Sequence, residues 1–128
     1  SQGVASAIVV FDPGESHFIN FDRSHLHQVL WNLVGNAVRH GQGKPGSVHI
    51  YASASPGGGR VELHIVDDGA GVPDEVRAHI FEPFFTTHHK GTGLGLFIAR
   101  ELCEGNGASL ELLSADSGGH FVITGRTE

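Results

Sequence analysis

The segment Asn32-Leu-Val-Gly-Asn36-Ala decides the fold of this chain, because it places two amides beside the apolar stripe of a helix. Apolar residues recur at i, i+4, i+7 and i+11 between residues 22 and 39, which predicts an amphipathic helix there. Asn32 and Asn36 are four residues apart and therefore share one flank, which Arg39 and His40 continue. Amide oxygens suit a Mg²⁺ ion that is already surrounded by phosphate, although by spacing alone capping of nearby backbone is the simpler interpretation.

A second segment, Asp67-Asp-Gly69-Ala-Gly71, follows the alternating strand pattern of residues 60–66. Glycines permit a sharp turn and a close approach to a flat ligand. The Asp67 carboxylate can accept a hydrogen bond from an exocyclic amine, which adenine has and guanine lacks at the equivalent ring position. An ordinary Asp-Gly turn is the alternative. Asp68 points the other way on a strand period, so we expect it to be solvated.

A third segment, Gly91-Thr-Gly93-Leu-Gly95-Leu, opens a helix that is predicted over residues 92–104. Helix N-termini present unpaired N–H groups to anions, and glycines remove the side chains that would block a phosphate. The spacing is neither the dinucleotide-binding G-x-G-x-x-G pattern nor the P-loop pattern. Close packing of two backbones would also explain the glycines. The three segments together predict a site for a Mg-nucleotide.

Length and composition restrict the classes of protein to consider. We expect residues 1–128 to form a single domain, and the start at Ser1-Gln2-Gly3 suggests a fragment of a longer protein. The formal net charge of −6 argues against a nucleic-acid surface, and no apolar stretch approaches the ~18 residues of a membrane span. Cys103 is the only cysteine, which fits a reducing compartment, and its apolar helical pattern favours burial.

The other periodicities predict strands over residues 7–11, 19–21, 47–54, 60–66, 110–114 and 121–124, with turns at 55–59 and 116–119. A short helix is expected near residues 74–81, and Gly105 or Gly107 can end the helix that begins at residue 92. Hairpins on one side and helices on the other predict an α+β fold, a two-layer sandwich.

Four segments, in this order along the chain, resemble the boxes of the GHKL ATP-binding superfamily, most closely those of the catalytic ATP-binding domain of bacterial sensor histidine kinases. The N box corresponds to residues 27–40, the G1 box to 67–71, the F box to 81–87 and the G2 box to 91–96. Residues 93–104 also resemble sensor kinases that control type IV pilus genes through a sigma-54 activator. The resemblance implies a mixed, mostly antiparallel sheet of about five strands with three helices on one face.

The resemblance also implies roles for individual residues. Asn36 would ligate Mg²⁺ with support from Asn32, and Arg39 would complete this catalytic group at the phosphates of ATP. Asp67 would accept the adenine amine. The remaining implied contacts with ATP are made by His40, Gly69, Gly71, Val72, Phe84, Lys90, Gly91, Thr92, Gly93, Leu94, Gly95 and Leu96.

Residues 72–90 would form a mobile lid over the nucleotide. Related kinases often carry a lysine directly after the Thr-Thr of the F box. This chain has His88 there and places its lysine at Lys90, which leaves open which lid residue meets the γ-phosphate.

The implied activity is that of a protein-histidine kinase, which transfers the γ-phosphoryl group of ATP to a histidine on a separate dimerisation domain in two-component signal transduction. None of the ten histidines here is followed by Asp or Glu, so we expect the acceptor outside this chain. The implied partners are ATP, that domain and, indirectly, a response regulator, with no nucleic acid. We expect a monomeric fragment of a homodimeric protein, and a cytoplasmic domain that belongs to an inner-membrane sensor kinase.

A GHKL ATPase is a rival to the kinase. Such relatives place a glutamate four residues before the magnesium asparagine, where it activates water. Here that position is Asn32, whose amide cannot take a proton from water, so we expect slow hydrolysis. The same fold also serves anti-sigma serine kinases, and a nucleotide-binding regulator without catalysis would carry the same boxes.

Overall fold

The chain folds into one sheet and a helical layer within residues 8–12, 14–86, 91–113 and 118–127, which are the residues that this computed structural model describes. The sheet has the strand order β1-β2-β3-β5-β4; β1 and β2 are parallel and the other pairs are antiparallel. In chain order the elements are β1 (Val9–Asp12), α1 (Arg23–His40), β2 (Val48–Ala54), β3 (Arg60–Asp67), α2 (Asp74–Arg77), α3 (Gly95–Gly105), β4 (Ser109–Leu112) and β5 (His120–Arg126).

Helix α1 forms where the sequence predicts it, because its cap and its apolar stripe agree. The Asp22 carboxylate accepts a hydrogen bond from His25 N at 3.0 Å, which satisfies an N–H group of the first turn. The C-terminal cap is Gly41, whose N–H donates to the Ala37 carbonyl. The stripe that faces the sheet is fully buried at Val29, Leu33 and Ala37. Truncation of a buried leucine such as Leu33 to alanine costs about 2–5 kcal/mol of stability.

The hydrophobic core lies between the sheet and helices α1 and α3, which also pack against each other. Alternate residues of β3 and β5 point into it, among them the fully buried Ile65 and Ile123. Ala99 and Cys103 contribute from α3, and burial raises the pKa of the Cys103 thiol to about 12. The predicted α+β sandwich and the predicted burial of Cys103 are confirmed.

The opposite face of the sheet carries a polar cluster of aromatic rings. Tyr51 stacks on His64 with ring centroids 4.4 Å apart, and His64 Nδ1 lies 2.8 Å from His120 Nε2. The Glu62 carboxylate lies 3.1 Å from His64 Nε2. Because a carboxylate can only accept, Nε2 donates this hydrogen bond, and in the neutral tautomer protonated at Nε2 the Nδ1 atom accepts from His120 Nε2. Burial, together with the neighbouring His64, lowers the pKa of His120 and favours its neutral form.

Several predicted elements differ from the structure. Residues 19–21 form no strand and pair only through an isolated bridge between Ile19 and Thr127. The helix predicted from residue 92 begins at Gly95, because Gly93 has a φ of 74°, which is incompatible with a right-handed helix. The short helix predicted near residues 74–81 ends at Arg77 and continues as turns. Residues 114–117, which include the end of one predicted strand and the start of a predicted turn, lie outside the described residues.

Helix α1, at 18 residues, is the longest described helix. Neither it nor any other helix in the described part of the chain is long and apolar enough to cross a membrane.

Candidate functional site

The turn after β3 packs directly on the end of helix α1. A Cβ atom at Gly69 would lie 2.1 Å from the His40 carbonyl oxygen, a separation that no side chain can adopt. Glycine is therefore required at position 69 by this close approach of two backbones. The contact places the Asp67–Gly71 turn beside the end of the helix flank that carries the two asparagines.

Asp67 is held in one orientation by backbone N–H groups. Its Oδ1 accepts hydrogen bonds from Gly69 N at 2.9 Å and from Gly119 N at 3.1 Å, and Asp67 N donates to the Gly119 carbonyl at 2.9 Å. The residue is 6% exposed. Since an ionised carboxylate has about four acceptor positions, Oδ2 keeps its capacity for a further donor. The orientation of the predicted acceptor is thus fixed by the backbone around it.

The pair Gly118-Gly119 completes this wall of the site, although the sequence pattern predicts only a turn there. Gly118 has a φ of 77°, and a Cβ atom there would lie 1.8 Å from the Asp67 carbonyl oxygen. A Cβ atom at Gly119 would lie 2.7 Å from Asp67 Oδ2. The available signal was a glycine pair directly before a strand, but nothing in that pattern identifies Asp67 as its partner.

Asp68 is partly exposed, but its carboxylate is bonded to the protein, which the strand period does not predict. Its Oδ1 accepts a hydrogen bond from Gln42 N at 2.8 Å, and its Oδ2 accepts one from the Ser47 hydroxyl at 3.0 Å. The Gln42 N–H, aided by the Ser47 hydroxyl, lowers the pKa of Asp68. The two-residue side-chain period of a strand does not extend to Asp68, because β3 ends at Asp67 and the chain turns immediately afterwards.

The two asparagines of α1 have different surroundings. Asn32 Nδ2 donates to the Gly95 carbonyl at 3.1 Å, and Asn32 Oδ1 accepts from Gln28 Nε2 at 3.2 Å. Asn32 therefore joins α1 to the first residue of α3, and its oxygen is already engaged. Asn36, one turn further on, is half-buried, and its side-chain amide has no hydrogen-bond partner among the described residues. Asn36 therefore fits the predicted metal-ligating role better than Asn32, whose oxygen is engaged.

Arg39 and His40 end helix α1 with exposed side chains. The Arg39 guanidinium folds back along the helix, since a Cβ atom at Gly35 would lie 3.5 Å from its Nη1. The Arg39 guanidinium complements the negative end of the helix dipole. Both residues lie on the same side of the molecule as Asn36, as the helical spacing predicts.

The glycine-rich segment touches the F-box residue Phe84 through the backbone. Phe84 N donates to the Gly93 carbonyl at 2.9 Å, and a Cβ atom at Gly93 would lie 2.4 Å from the Phe84 carbonyl carbon. Phe84 itself has a φ of 68°, which is strained for a residue with a side chain, and the residue is 74% exposed. Thr92 Oγ1 accepts from Leu94 N at 3.3 Å and shapes the turn before α3. Gly93 is therefore required both by its φ and by this contact.

The other residues of the predicted site lie around this loop or next to the core. Gly91 is exposed, and Gly95 begins α3 with its Cβ position 4.0 Å from Asn32 Cγ. Val72 and Leu96 pack against the hydrophobic core, which gives them a structural role. The predicted contacts at Lys90 and its neighbours 87–89 lie outside the described residues.

The first part of the predicted lid is packed onto the domain. Ile80 is buried, and the Phe81 ring meets Phe121 edge-on at a centroid distance of 6.2 Å. The Arg77 guanidinium donates to the Leu112 carbonyl at the end of β4. Because this part is packed, we now expect a mobile lid only in the residues that follow Phe81, rather than over the whole range 72–90.

The donor set of the site fits a metal ion that arrives with a nucleotide. In the ranges that the structure describes, no group of three or more His, Cys, Asp or Glu side chains could hold a metal ion. Mg²⁺ commonly takes only one or two protein ligands and fills its octahedron with water and phosphate oxygens. The Asn36 amide, which has no side-chain partner among the described residues, would supply one such ligand.

Comparison with known families agrees with this geometry. Residues 21–126 match the family described as histidine kinase-, DNA gyrase B- and HSP90-like ATPase. This range includes both asparagines, the Asp67–Gly71 turn, the glycine-rich segment and the Gly118-Gly119 pair.

Two curated relatives are sensor kinases. The sensor protein kinase PilS of Pseudomonas aeruginosa is 44% identical over 109 residues, which cover 80% of this chain and 20% of PilS. The sensor histidine kinase ZraS of Salmonella typhimurium is 39% identical over 102 residues, which cover 79% of this chain and 21% of ZraS. The chain thus spans about a fifth of the length of these relatives.

Solved structures show the same fold. The nucleotide-free catalytic domain of the histidine kinase ThkA superposes with a TM-score of 0.80 at 29% identity, covering 98% of this chain and 84% of that one. Full-length ShkA in complex with AMPPNP gives a TM-score of 0.77 at 32% identity, covering 94% of this chain and 26% of ShkA. The fold and the resemblance to catalytic domains of sensor histidine kinases are confirmed.

Proposed function

We propose that this chain, which belongs to the histidine kinase-, DNA gyrase B- and HSP90-like ATPase family, binds Mg-ATP and donates the γ-phosphoryl group to a histidine on another domain. The observation that carries the proposal is the Asp67 carboxylate, which is fixed at Oδ1 by Gly69 N and Gly119 N. The kinase relatives named above favour phosphoryl transfer over the other activities of the family.

Asp67 would select adenine through its second oxygen. The exocyclic amine at C6 of adenine donates to Oδ2, whereas guanine presents a carbonyl oxygen at that position. Two acceptors would then face each other in a buried setting, and a buried polar group without a partner costs about 1–3 kcal/mol. We therefore expect ATP to bind about ten- to a hundredfold more tightly than GTP.

The phosphate end of the site would be formed by α1 and the segment that leads into α3. Asn36 offers its amide oxygen to Mg²⁺, and the exposed Arg39 offers a bidentate guanidinium to phosphate oxygens. The Asn32–Gly95 hydrogen bond fixes the start of α3 against α1, so the N–H groups of that helix end are held in place for anions.

Transfer would require positioning more than acid–base chemistry from this chain. The acceptor imidazole nitrogen forms a bond to the γ-phosphorus while the bond to the β–γ bridging oxygen breaks, and ADP leaves with the bonding electrons. Arg39 and the loop N–H groups would stabilise the charge on the transferred group. Asn32 cannot act as a general base toward water, and its amide is already bonded at both ends, so hydrolysis should be slow.

We also propose a longer protein of which this domain would be a part. Residues 1–128 would act as the single ATP-binding catalytic domain of a longer homodimeric protein, whose dimerisation domain carries the acceptor histidine. A response regulator would receive the phosphoryl group from that histidine, and the protein would be an inner-membrane sensor with this domain in the cytoplasm. The support is that the named sensor kinases are about five times longer than the segment they share with this chain.

Two measurements test the proposal. Calorimetric titration with ATP and GTP, each with and without Mg²⁺, should show ATP binding that Mg²⁺ strengthens. Radiolabelled ATP should then leave the domain alone unlabelled and label histidine when the dimerisation domain of the same protein is added. Brisk phosphate release by the domain alone would assign it to the ATPases of the family, and label on a serine of an added protein would assign it to the anti-sigma kinases.

A further inference from the structure

We propose that Asp68 is a positioning residue that sets the distance between the adenine end and the phosphate end of the site. Asp68 does this by tying the turn after β3 to the segment after α1. The inference rests on the proposed function in that it takes Mg-ATP as the ligand. Neither the glycine spacing nor the four family boxes assigns this role to Asp68.

Four hydrogen bonds join Asp68 to Gln42 and Ser47, and we call these three residues the Asp68 clasp. Gln42 N donates to Asp68 Oδ1 at 2.8 Å, and Gln42 Nε2 donates to the Asp68 carbonyl at 2.8 Å. The Ser47 hydroxyl donates to Asp68 Oδ2 at 3.0 Å, and Asp68 N donates to the Ser47 carbonyl at 3.1 Å. Both the side chain and the backbone of Asp68 are therefore bonded to the segment that follows α1.

The partners of Asp68 are themselves held in place. Ser47 is 2% exposed, and its hydroxyl oxygen also accepts from Lys44 N at 2.8 Å. A Cβ atom at Gly41 would lie 3.2 Å from Asp68 Oδ1, so the absence of a side chain at the helix cap leaves room for the carboxylate. The clasp is thus a network of several hydrogen bonds rather than a single surface contact, and these bonds fix the orientation of each of its three residues.

The position of the clasp in the chain explains what it controls. Asp68 follows Asp67 directly, and Gln42 follows the helix end that carries Arg39 and His40 by two residues. The Gly69–His40 contact limits how closely the turn and the helix approach, whereas the hydrogen bonds of Asp68 have direction and oppose sliding between them. Mg-ATP would span both ends of the site, while adenosine would reach only the Asp67 end. A looser clasp would therefore weaken binding of Mg-ATP more than binding of adenosine, because the two ends must be ordered when the longer ligand binds.

Three variants separate positioning from folding. Asp68→Ala removes both side-chain bonds. Asp68→Asn is the conservative variant, because its amide oxygen can still accept from Gln42 N and its amide nitrogen can donate to the Ser47 oxygen. Ser47→Ala removes the hydroxyl bond to Asp68, together with the bond from Lys44 N, and leaves Asp68 in the chain. Affinities for Mg-ATP and for adenosine are measured for each variant and for the parent, together with the thermal midpoint of unfolding.

We expect Asp68→Ala to lose about tenfold in affinity for Mg-ATP and less than about twofold for adenosine, with Asp68→Asn within about threefold of the parent for both ligands. Unchanged Mg-ATP affinity in Asp68→Ala, or an equal loss for the two ligands, would overturn the positioning role. If Asp68→Ala does not fold, Ser47→Ala decides the question: a loss confined to Mg-ATP supports the role, and its absence refutes it. A parent domain that binds no ATP would contradict the proposed function instead, so the two failures are distinguishable.

Discussion

Asp67 Oδ1 and Gly119 N are joined by a hydrogen bond of 3.1 Å between residues 52 positions apart. A second bond runs in the opposite sense, from Asp67 N to the Gly119 carbonyl at 2.9 Å. The pairing of β3 with β5 brings these residues together at the end of the sheet. The orientation of the Asp67 carboxylate therefore depends on the backbone before β5 as well as on the turn that follows Asp67.

The first prediction follows from the space at Gly119. The added methyl group of Gly119→Ala would lie 2.7 Å from Asp67 Oδ2, the oxygen assigned to adenine. We expect this variant to lose at least about tenfold in ATP affinity, by calorimetry, because the carboxylate must move or the methyl group must block the ring. Gly105→Ala is the matched control, since nothing lies within 4 Å of its Cβ position, and it should bind ATP as the parent does.

The second prediction separates the two asparagines of α1. Asn36→Ala should abolish the gain in ATP affinity that Mg²⁺ provides, because the variant removes the open amide oxygen. Asn32→Ala should keep that gain, because the Asn32 oxygen is already bonded to Gln28 Nε2. The variant instead breaks the bond to the Gly95 carbonyl and loosens α3 against α1. ATP titrations at zero and saturating Mg²⁺ measure both responses. An intact Mg²⁺ response in Asn36→Ala would rule out this assignment of the ligand.

The third prediction concerns acid and the histidine pair on the uncovered face of the sheet. Burial and His64 lower the pKa of His120 below its unfolded value, so the folded domain favours the neutral ring. The stabilisation is present above the unfolded pKa of about 6.5 and is lost as the pH falls through the lower folded pKa, where the unfolded chain binds more protons. Urea midpoints should therefore decrease between pH 7.5 and pH 5.

The control for this pH dependence is His120→Gln, which removes the titrating ring and keeps a donor for His64 Nδ1. Its urea midpoint should fall less steeply with acid than that of the parent. The neighbouring side chains Tyr51, Glu62 and His64 remain in both proteins. Identical slopes for the two proteins would show that the pair does not govern this acid response.

The fourth prediction concerns the segment between the two glycine boxes. Hydrogen exchange in the empty domain should be slow at Ile80 and Phe81, because both residues pack against the core, and faster in the residues that follow. ATP should slow exchange in those later residues and at the start of α3. Fast exchange at Ile80 and Phe81 would instead restore the longer lid that the sequence predicts.

Local signals were sufficient for helix α1 and for the hairpin of β2 and β3. The cap at Asp22 and the stripe at Leu33 agree with each other, and the alternation of residues 60–66 matches a strand with one face in the core. These elements could be predicted because neighbouring residues in the sequence determine them. The two asparagines were also located correctly, since helical spacing alone places them on one flank.

The remaining features depend on contacts between distant residues. Asp68 has the appearance of a solvated strand residue until Gln42 and Ser47 are brought to it by the fold. The start of α3 was predicted too early because the contact of Gly93 with Phe84 requires a left-handed φ that helix patterns do not reveal. Tertiary packing overrides local pattern at these positions, and they lie around the proposed ligand.

The most direct test of the account is the affinity of Asp67→Asn for ATP, measured beside GTP competition in the parent. The hydrogen bond from the adenine amine to a charged carboxylate is worth ~1.5–3 kcal/mol, so the variant should lose roughly ten- to a hundredfold in ATP affinity. In the parent, GTP should compete at least about tenfold less well than ATP. An Asp67→Asn domain that binds ATP as tightly as the parent, or a parent in which GTP competes equally, would contradict the assignment of Asp67 as the adenine acceptor.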